Sequence, residues 1–263
     1  MCYDVELLAE RIMKQGIRMG KTPDEVKHIV EEIIRKIQNN PPVYHTSGFD
    51  HPFLPLIVWE GSKPEMKMMR WGLIPSWCRD AVQAVEMSNM TICARDQSLY
   101  EKKSFKAPME KGQRALLPLT AYYEFFTYEG SDKRYKDKKY PHHISMDDFF
   151  FVACIYDIWN DEFSFSIVTT DANPMMARIH NKPAKSETPR MPLILDGEAL
   201  LTWLYPESDE TTLKSLMKPY PEEHMKAHTV APLRGKDRIG NRPEASQFVH
   251  YPELDGEQQL SLF

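Results

Sequence analysis

Glycine and cysteine are scarce in this chain, with 11 and 4 among 263 residues. The cysteines at positions 2, 78, 93 and 154 form no CxxC pair, which excludes a zinc knuckle and offers no disulfide scaffold. No apolar run approaches the ~18 residues that a membrane span needs. The opening MCYDVELLAE carries acids where a secretion signal carries a basic segment and an apolar run, so export is not expected and a cytoplasmic location is. Internal repeats and Gly/Ser linkers are also missing. What is present, 42% apolar residues and 11% aromatics, excludes disorder and suffices for a sizeable core.

Acids outnumber bases by 38 to 33, a net charge of −5, which at face value opposes a nucleic-acid partner. The charge is uneven, however. Gly61 to Tyr140 carries a net +5 and the remainder −10. A basic centre inside an acidic periphery is compatible with an anionic ligand held in one groove. Within that centre, KRYKDKK (Lys133 to Lys139) is expected to be a solvated loop.

Residues 5–14 are expected to form a helix with Val5, Leu8 and Ile12 on one face. A second helix is expected behind a Thr22/Glu25 capping box, with Pro23 at its first position and an apolar stripe from Val26 to Ile37. Short apolar or alternating runs follow at 55–59, 66–71, 114–119, 122–128, 149–158 and 162–170, all read as strands. Helical signals return at Pro174–His180, at 196–204 behind an Asp196 cap and at 208–217 behind a Ser208 cap. The pattern predicts one α+β domain over residues 1–235, with a largely antiparallel sheet, a helical N-terminal addition at about 5–38, and a C-terminal extension over 236–263. His224 and His228 stand at i,i+4 without an obvious third ligand, so neither a metal nor a cofactor is expected.

Cys2 follows the initiator methionine, and its small side chain permits Met1 to be removed. A free N-terminal cysteine carries two nucleophiles on adjacent carbons, an α-amine titrating near ~8 and a thiol near ~8.5. An aldehyde meeting this pair forms an imine with the amine, and the thiol then closes a five-membered thiazolidine.

Six motifs stand in a telling order: MCY at the start, WGLIPSW (71–77), ICARDQS (92–98), LLPLTAYYEFF (116–126), TTDAN (169–173) and IHNK…RMPLIL (179–195). Together they resemble the SRAP family, the SOS-response-associated peptidase proteins, over residues 1 to about 235. The resemblance implies a mixed α+β fold around a bifurcated, barrel-like sheet. It also implies covalent cross-linking of the N-terminal cysteine to abasic sites in single-stranded DNA, with an associated lyase or self-processing peptidase reaction.

Residue by residue, the resemblance makes Cys2 the nucleophile and Glu124, on an aromatic strand, a proton shuttle. It makes His180 the group that protonates the ring oxygen of the closed sugar. Arg95 becomes the guanidinium that holds the phosphate beside the lesion. Trp71 and Trp77 become a stacking surface for unpaired bases, with at least one of them expected in the core. Pro52, in GFDHP (48–52), becomes a channel-lining residue. Three departures stand out. Cys93 occupies the position of a family asparagine, so that either adduct stabilisation is weakened, or nearby Asn89 substitutes, or the first residues pack differently. Tyr3-Asp4 replaces the glycine-arginine that follows the family cysteine. NKPAKSETP (181–189) separates His180 from Arg190 by more than the usual spacing.

The terminal QLSLF resembles the bacterial sliding-clamp-binding pentapeptide, with Gln259 for one pocket and Leu260, Leu262 and Phe263 for the apolar one. Three functions remain open from the sequence. The first is an abasic-site sensor acting through Cys2. The second is a thiol peptidase using Cys2, His180 and Glu124, and the third a non-catalytic adaptor for single-stranded DNA and a clamp.

Overall fold

The computed structural model describes residues 3–15, 41–183 and 188–255, with the single positions 28, 31, 35 and 38. Its first element corrects an expectation. Asp4–Leu7 is a strand, β1, and only Ala9–Gln15 is helical, α1. Tertiary pairing overrides the helical spacing of Val5, Leu8 and Ile12, because β1 is hydrogen-bonded on both edges. It pairs with β2 (Val43–Ser47) on one side and β6 (Arg114–Thr127) on the other. The expected second helix lies almost wholly outside the described residues.

β3 (Phe53–Glu60) and β4 (Lys63–Trp71) form a hairpin. β6 is one long strand where two short ones are expected; it runs antiparallel to β7 (Lys139–Trp159), with a register shift between Leu119 and Ala121. β7 pairs with β8 (Glu162–Asp171), and β8 lies parallel to β4. Since β3 also pairs with β6, strands β6, β3, β4, β8 and β7 close into a ring. Beyond the ring, β6 continues beside β1, and the early part of β7 beside β11 (Lys226–Thr229). The sheet therefore splits at β6, as a bifurcated barrel does.

Period-two alternation sorts the side chains. Leu56 and Val58 join Leu117, Val152, Cys154, Phe165 and Ile167 in one apolar cluster. Ile57, Leu116, Ala153 and Ile155 face the other way. There they meet helices α3 (Lys103–Glu110), α5 (Ala199–Leu204) and α6 (Glu210–Leu216) through Phe105, Leu200, Trp203 and Leu213. Each such aliphatic side chain contributes ~1.5–3 kcal/mol by leaving water. The helix caps shift by a residue or more from expectation. α6 is capped by Asp209, which accepts from Thr212 N at 3.0 Å, while Ser208 Oγ donates to Thr202 O at 2.7 Å. α5 starts after Glu198 without a side-chain cap.

Helix α2 (Ala81–Met90), capped by Asp80 accepting from Gln83 N at 2.9 Å, carries no apolar period strong enough to predict it. The segment after residue 235 is bound to the sheet as far as Asp255. Asn241 Oδ1 accepts from Tyr44 N at 2.7 Å, and Glu253 Oε1 accepts from Tyr140 Oη at 2.8 Å. Among the described residues no helix is long and apolar enough to cross a membrane.

Candidate functional site

Glu124 sits where β6 leaves the ring. It follows Tyr122 by two residues and so faces the same way, toward the mouth of the first apolar cluster. Its side chain is buried, and Oε1 accepts from Phe125 N at 3.1 Å. Its cross-strand partner is His142 of β7. The His142 ring is held neutral: burial pulls its pKa down to about 4, against the raising effects of a hydrogen bond with Tyr140 O at 3.0 Å and the Glu124 charge.

His180 reaches Glu124 from helix α4 (Pro174–Ile179), whose start is set by Asn173 accepting from Met176 N at 2.8 Å. His180 Nδ1 lies 3.9 Å from Glu124 Oε2. The same nitrogen lies 3.3 Å from Arg190 N, which donates to it, and 3.4 Å from Arg190 O. Neutral, the ring accepts from the amide; protonated at Nδ1, it faces a carbonyl and a carboxylate. The long NKPAKSETP connection does not separate His180 from Arg190, since β9 (Arg190–Pro192) brings them back into contact.

Arg190 is itself fully engaged. Its guanidinium donates to Asp96 Oδ1 and Thr169 O at 2.5 Å, Gln97 Oε1 at 2.8 Å, and Asp171 Oδ1 and Thr169 Oγ1 at 3.2 Å. Asp96 and Gln97 follow β5 (Cys93–Arg95), which lies parallel to β8 with Cys93 opposite Ile167. Cys93 and Arg95 are both half-buried and share a face, while Ala94 turns into the opposite cluster. Burial, reinforced by the Glu124 and Asp4 charges and opposed by Arg190, pushes the Cys93 thiol up to about 12. Cys93 packs at the rim against the first apolar cluster, where the neutral thiol is favoured. Asn89 does not take over the asparagine role by engaging this rim. Its Oδ1 is 3.1 Å from His51 Nε2 and its Nδ2 donates to Val85 O at 2.9 Å.

The two tryptophans separate. Trp71 has no exposed surface; it stacks on Phe165 with centroids 6.0 Å apart, and Nε1 donates to Ile92 O at 2.9 Å. It offers no ring face to a base, which corrects its expected stacking role. Trp77 is half-buried in a separate cluster with Ile74, Cys78 and Ala84, and Lys103 Nζ stands 4.4 Å over its ring. Pro52 follows a 3-10 turn, Gly48–Asp50, and its carbonyl accepts from Trp71 N at 2.9 Å. That turn approaches the start of the chain: Gly48 N donates to Tyr3 O at 2.7 Å, and Phe49 lies 5.0 Å from the Tyr3 ring. Only glycine fits at 48, where a Cβ would come within 2.4 Å of Ile92 Cγ2. Phe49, 52% exposed beside Tyr3, is an aromatic surface inside GFDHP to which the motif reading gave no role.

Some basic residues of this centre are engaged within the fold. Arg114 is buried and donates to the carbonyls of Trp203, Tyr205 and Pro206. Lys67, Lys106, Arg134 and Lys138 pair with Glu60, Glu110, Asp132 and Glu253. His224 and His228 are not one helical turn apart, for the first closes a 3-10 turn and the second lies on β11. Cys2, Gln259, Leu260, Leu262 and Phe263 lie outside the described residues.

A family model described as "SOS response associated peptidase (SRAP)" matches residues 17–236. The chain belongs to the SRAP family. A Bacillus subtilis SRAP relative named "Abasic site processing protein YoqW" is 33% identical over 197 residues, covering 72% of this chain and 79% of its own. The rat "Abasic site processing protein HMCES" is 28% identical over 202 residues, 67% of this chain but 54% of that longer protein. Among solved structures, a Bacteroides thetaiotaomicron protein superposes with a TM-score of 0.73 at 31% identity, covering 95% of this chain and all of that one. The bifurcated barrel described above is therefore the fold shared with this SRAP-like neighbour, and Glu124 and His180 meet at its mouth.

Proposed function

We propose that the chain captures abasic sites in single-stranded DNA through Cys2. The observation that carries this is the register of β1. Asp4 lies opposite Tyr123, so the strand enters the sheet with Tyr3 level with Glu124, and Glu124 is 3.9 Å from His180. Covalent geometry ties the Cα of Cys2 within ~3.8 Å of that of Tyr3. The names of the Bacillus and rat relatives support the same substrate.

The chemistry balances without an oxidant. His180 gives a proton to the ring oxygen of the closed sugar while Glu124 takes the hydroxyl proton, and the C–O bond breaks to expose the aldehyde. The α-amine adds to the carbonyl carbon, and the carbinolamine loses one water to give the imine. The thiol sulfur then bonds to the imine carbon, its proton passing to nitrogen, and the ring is closed. Arg95, on the same face as Cys93, holds the neighbouring phosphate.

The decisive experiment mixes purified protein with a single-stranded oligonucleotide carrying one abasic site. A band resistant to heat and denaturant is expected from the wild type and none from Cys2→Ala. Cys2→Ser keeps the amine but not the thiol, so its imine should hydrolyse on heating. No wild-type adduct sinks the proposal, and peptide cleavage without an adduct favours a thiol peptidase instead. The QLSLF end extends the proposal to a sliding clamp: protein lacking Gln259–Phe263 should form the adduct but fail to capture the clamp.

A further inference from the structure

Tyr3-Asp4 follows Cys2 in this chain, and Asp4 is buried with 1% exposure. The Cα of Asp4 lies within ~7 Å of the Cα of Cys2 along the chain. Left uncompensated, the Asp4 carboxylate would favour the protonated ammonium, which cannot attack an aldehyde. The structure brings two partners to it from distant segments. His45 Nε2 of β2 is 2.9 Å from Asp4 Oδ1, and Arg234 Nη2 donates to Asp4 Oδ2.

Arg234 is well placed for this task. Its guanidinium lies 4.3 Å over the Phe125 ring, one residue from Glu124 and on the opposite face of β6. Leu233 anchors it in a small cluster with Tyr123, Val230 and Ala245. Ile239 N donates to Pro232 O at 2.8 Å, closing the loop that carries it. Other charged and polar groups of this corner among the described residues have partners of their own. On β1, Glu6 accepts from Thr120 Oγ1 and faces Arg11 and His143. Tyr123, opposite Asp4, donates to Tyr44 O. Across the sheet lie Glu124, His180 and Cys93.

We infer that Arg234 is a positioning residue for the proposed reaction: it fixes the start of β1 and neutralises Asp4, so that the N-terminal amine stays reactive near neutral pH. Resting on the Cys2 proposal, this inference adds a residue from the C-terminal segment that acts on the nucleophile without touching the lesion.

The test is the pH profile of first-order adduct formation at saturating abasic oligonucleotide, so that DNA affinity does not enter. In Arg234→Ala the acid limb should move up by about half a pH unit to one, from Coulomb's law over this distance at an effective dielectric between water and protein. The rate near pH 6.5 should then fall about 3- to 10-fold, with the alkaline plateau unchanged. Arg234→Lys should follow the wild type. Asp4→Asn combined with Arg234→Ala should bring the limb back, and Asp4→Asn alone should not move it upward. A profile for Arg234→Ala that overlays the wild type, or that drops equally at every pH, overturns the inference while leaving the Cys2 proposal intact. Absence of a wild-type adduct overturns both.

Discussion

Arg190 and Arg234 each meet a buried acid, one on the Glu124 face of β6 and the other behind it. Arg190 is 3% exposed and donates along its whole fork to Asp96, Asp171, Gln97 and Thr169. Arg234 is 45% exposed and pairs with Asp4 while its other edge meets water. The first ties β5, β8, β9 and the His180 helix end into one block, so its charge is committed to architecture. The second closes a corner that already packs through Leu233, Tyr123 and Val230. Two arginines with the same partner chemistry thus differ in what their loss should do. One should cost stability, the other reactivity.

The largest effect follows from Arg190. Arg190→Met removes the cation and leaves Asp96 buried without compensation, a loss of about 3–5 kcal/mol. Urea denaturation should show it directly, with the midpoint falling and the slope unchanged. Arg234→Met should lose less, because Asp4 keeps His45 at 2.9 Å and the lost guanidinium is half in water. Equal losses in the two variants would break the contrast.

His142 sharpens it, because here burial is met by neutrality instead of a counter-charge. Its folded pKa of about 4 lies below the unfolded 6.5, so the unfolded chain binds the proton more tightly. The neutral ring's contribution is complete above pH 6.5, is lost as pH falls toward 4, and changes little further below. Between pH 7.5 and 4.5 the loss amounts to about 2–3 kcal/mol. His142→Phe should flatten that part of the stability profile, read as the difference between the variant and wild-type curves. An unchanged slope would place the acid sensitivity elsewhere, with half-buried His228 the next candidate, since burial lowers its pKa too.

The contrast also explains what could be read from the sequence. The strands of the ring were legible because their alternation, as in Phe163, Phe165 and Ile167, directly reflects two faces. Glu124 and His180 were legible because local motifs carry them, and the structure brings their side chains together. β1 was misread because three apolar residues at helical spacing also suit a short strand followed by a short helix. Its identity is decided by β2 and β6, both far along the chain. Which of Trp71 and Trp77 belongs to the core was not legible for a related reason: an indole in a motif does not say whether its ring faces solvent or, as for Trp71, Phe165. Least legible were the charge pairs. Arg190 with Asp96 spans 94 residues and Arg234 with Asp4 spans 230, and nothing local to either partner announces the other.

The smallest predicted effect guards the most specific inference. Lys103 stands over the Trp77 ring at the surface, so Lys103→Ala removes one positive charge and a cation–π contact worth about 0.5–1 kcal/mol. Its thermal midpoint should drop slightly. The acid limb of adduct formation should stay where the wild type has it, because Lys103 is paired with an indole and not with the carboxylate beside the nucleophile. If Lys103→Ala moved that limb as far as Arg234→Ala does, any lost cation would serve and the Asp4 pairing would explain nothing. If only Arg234→Ala moves it, the effect belongs to one guanidinium at one corner, and the exposed member of the two arginine sites is the one that sets reactivity.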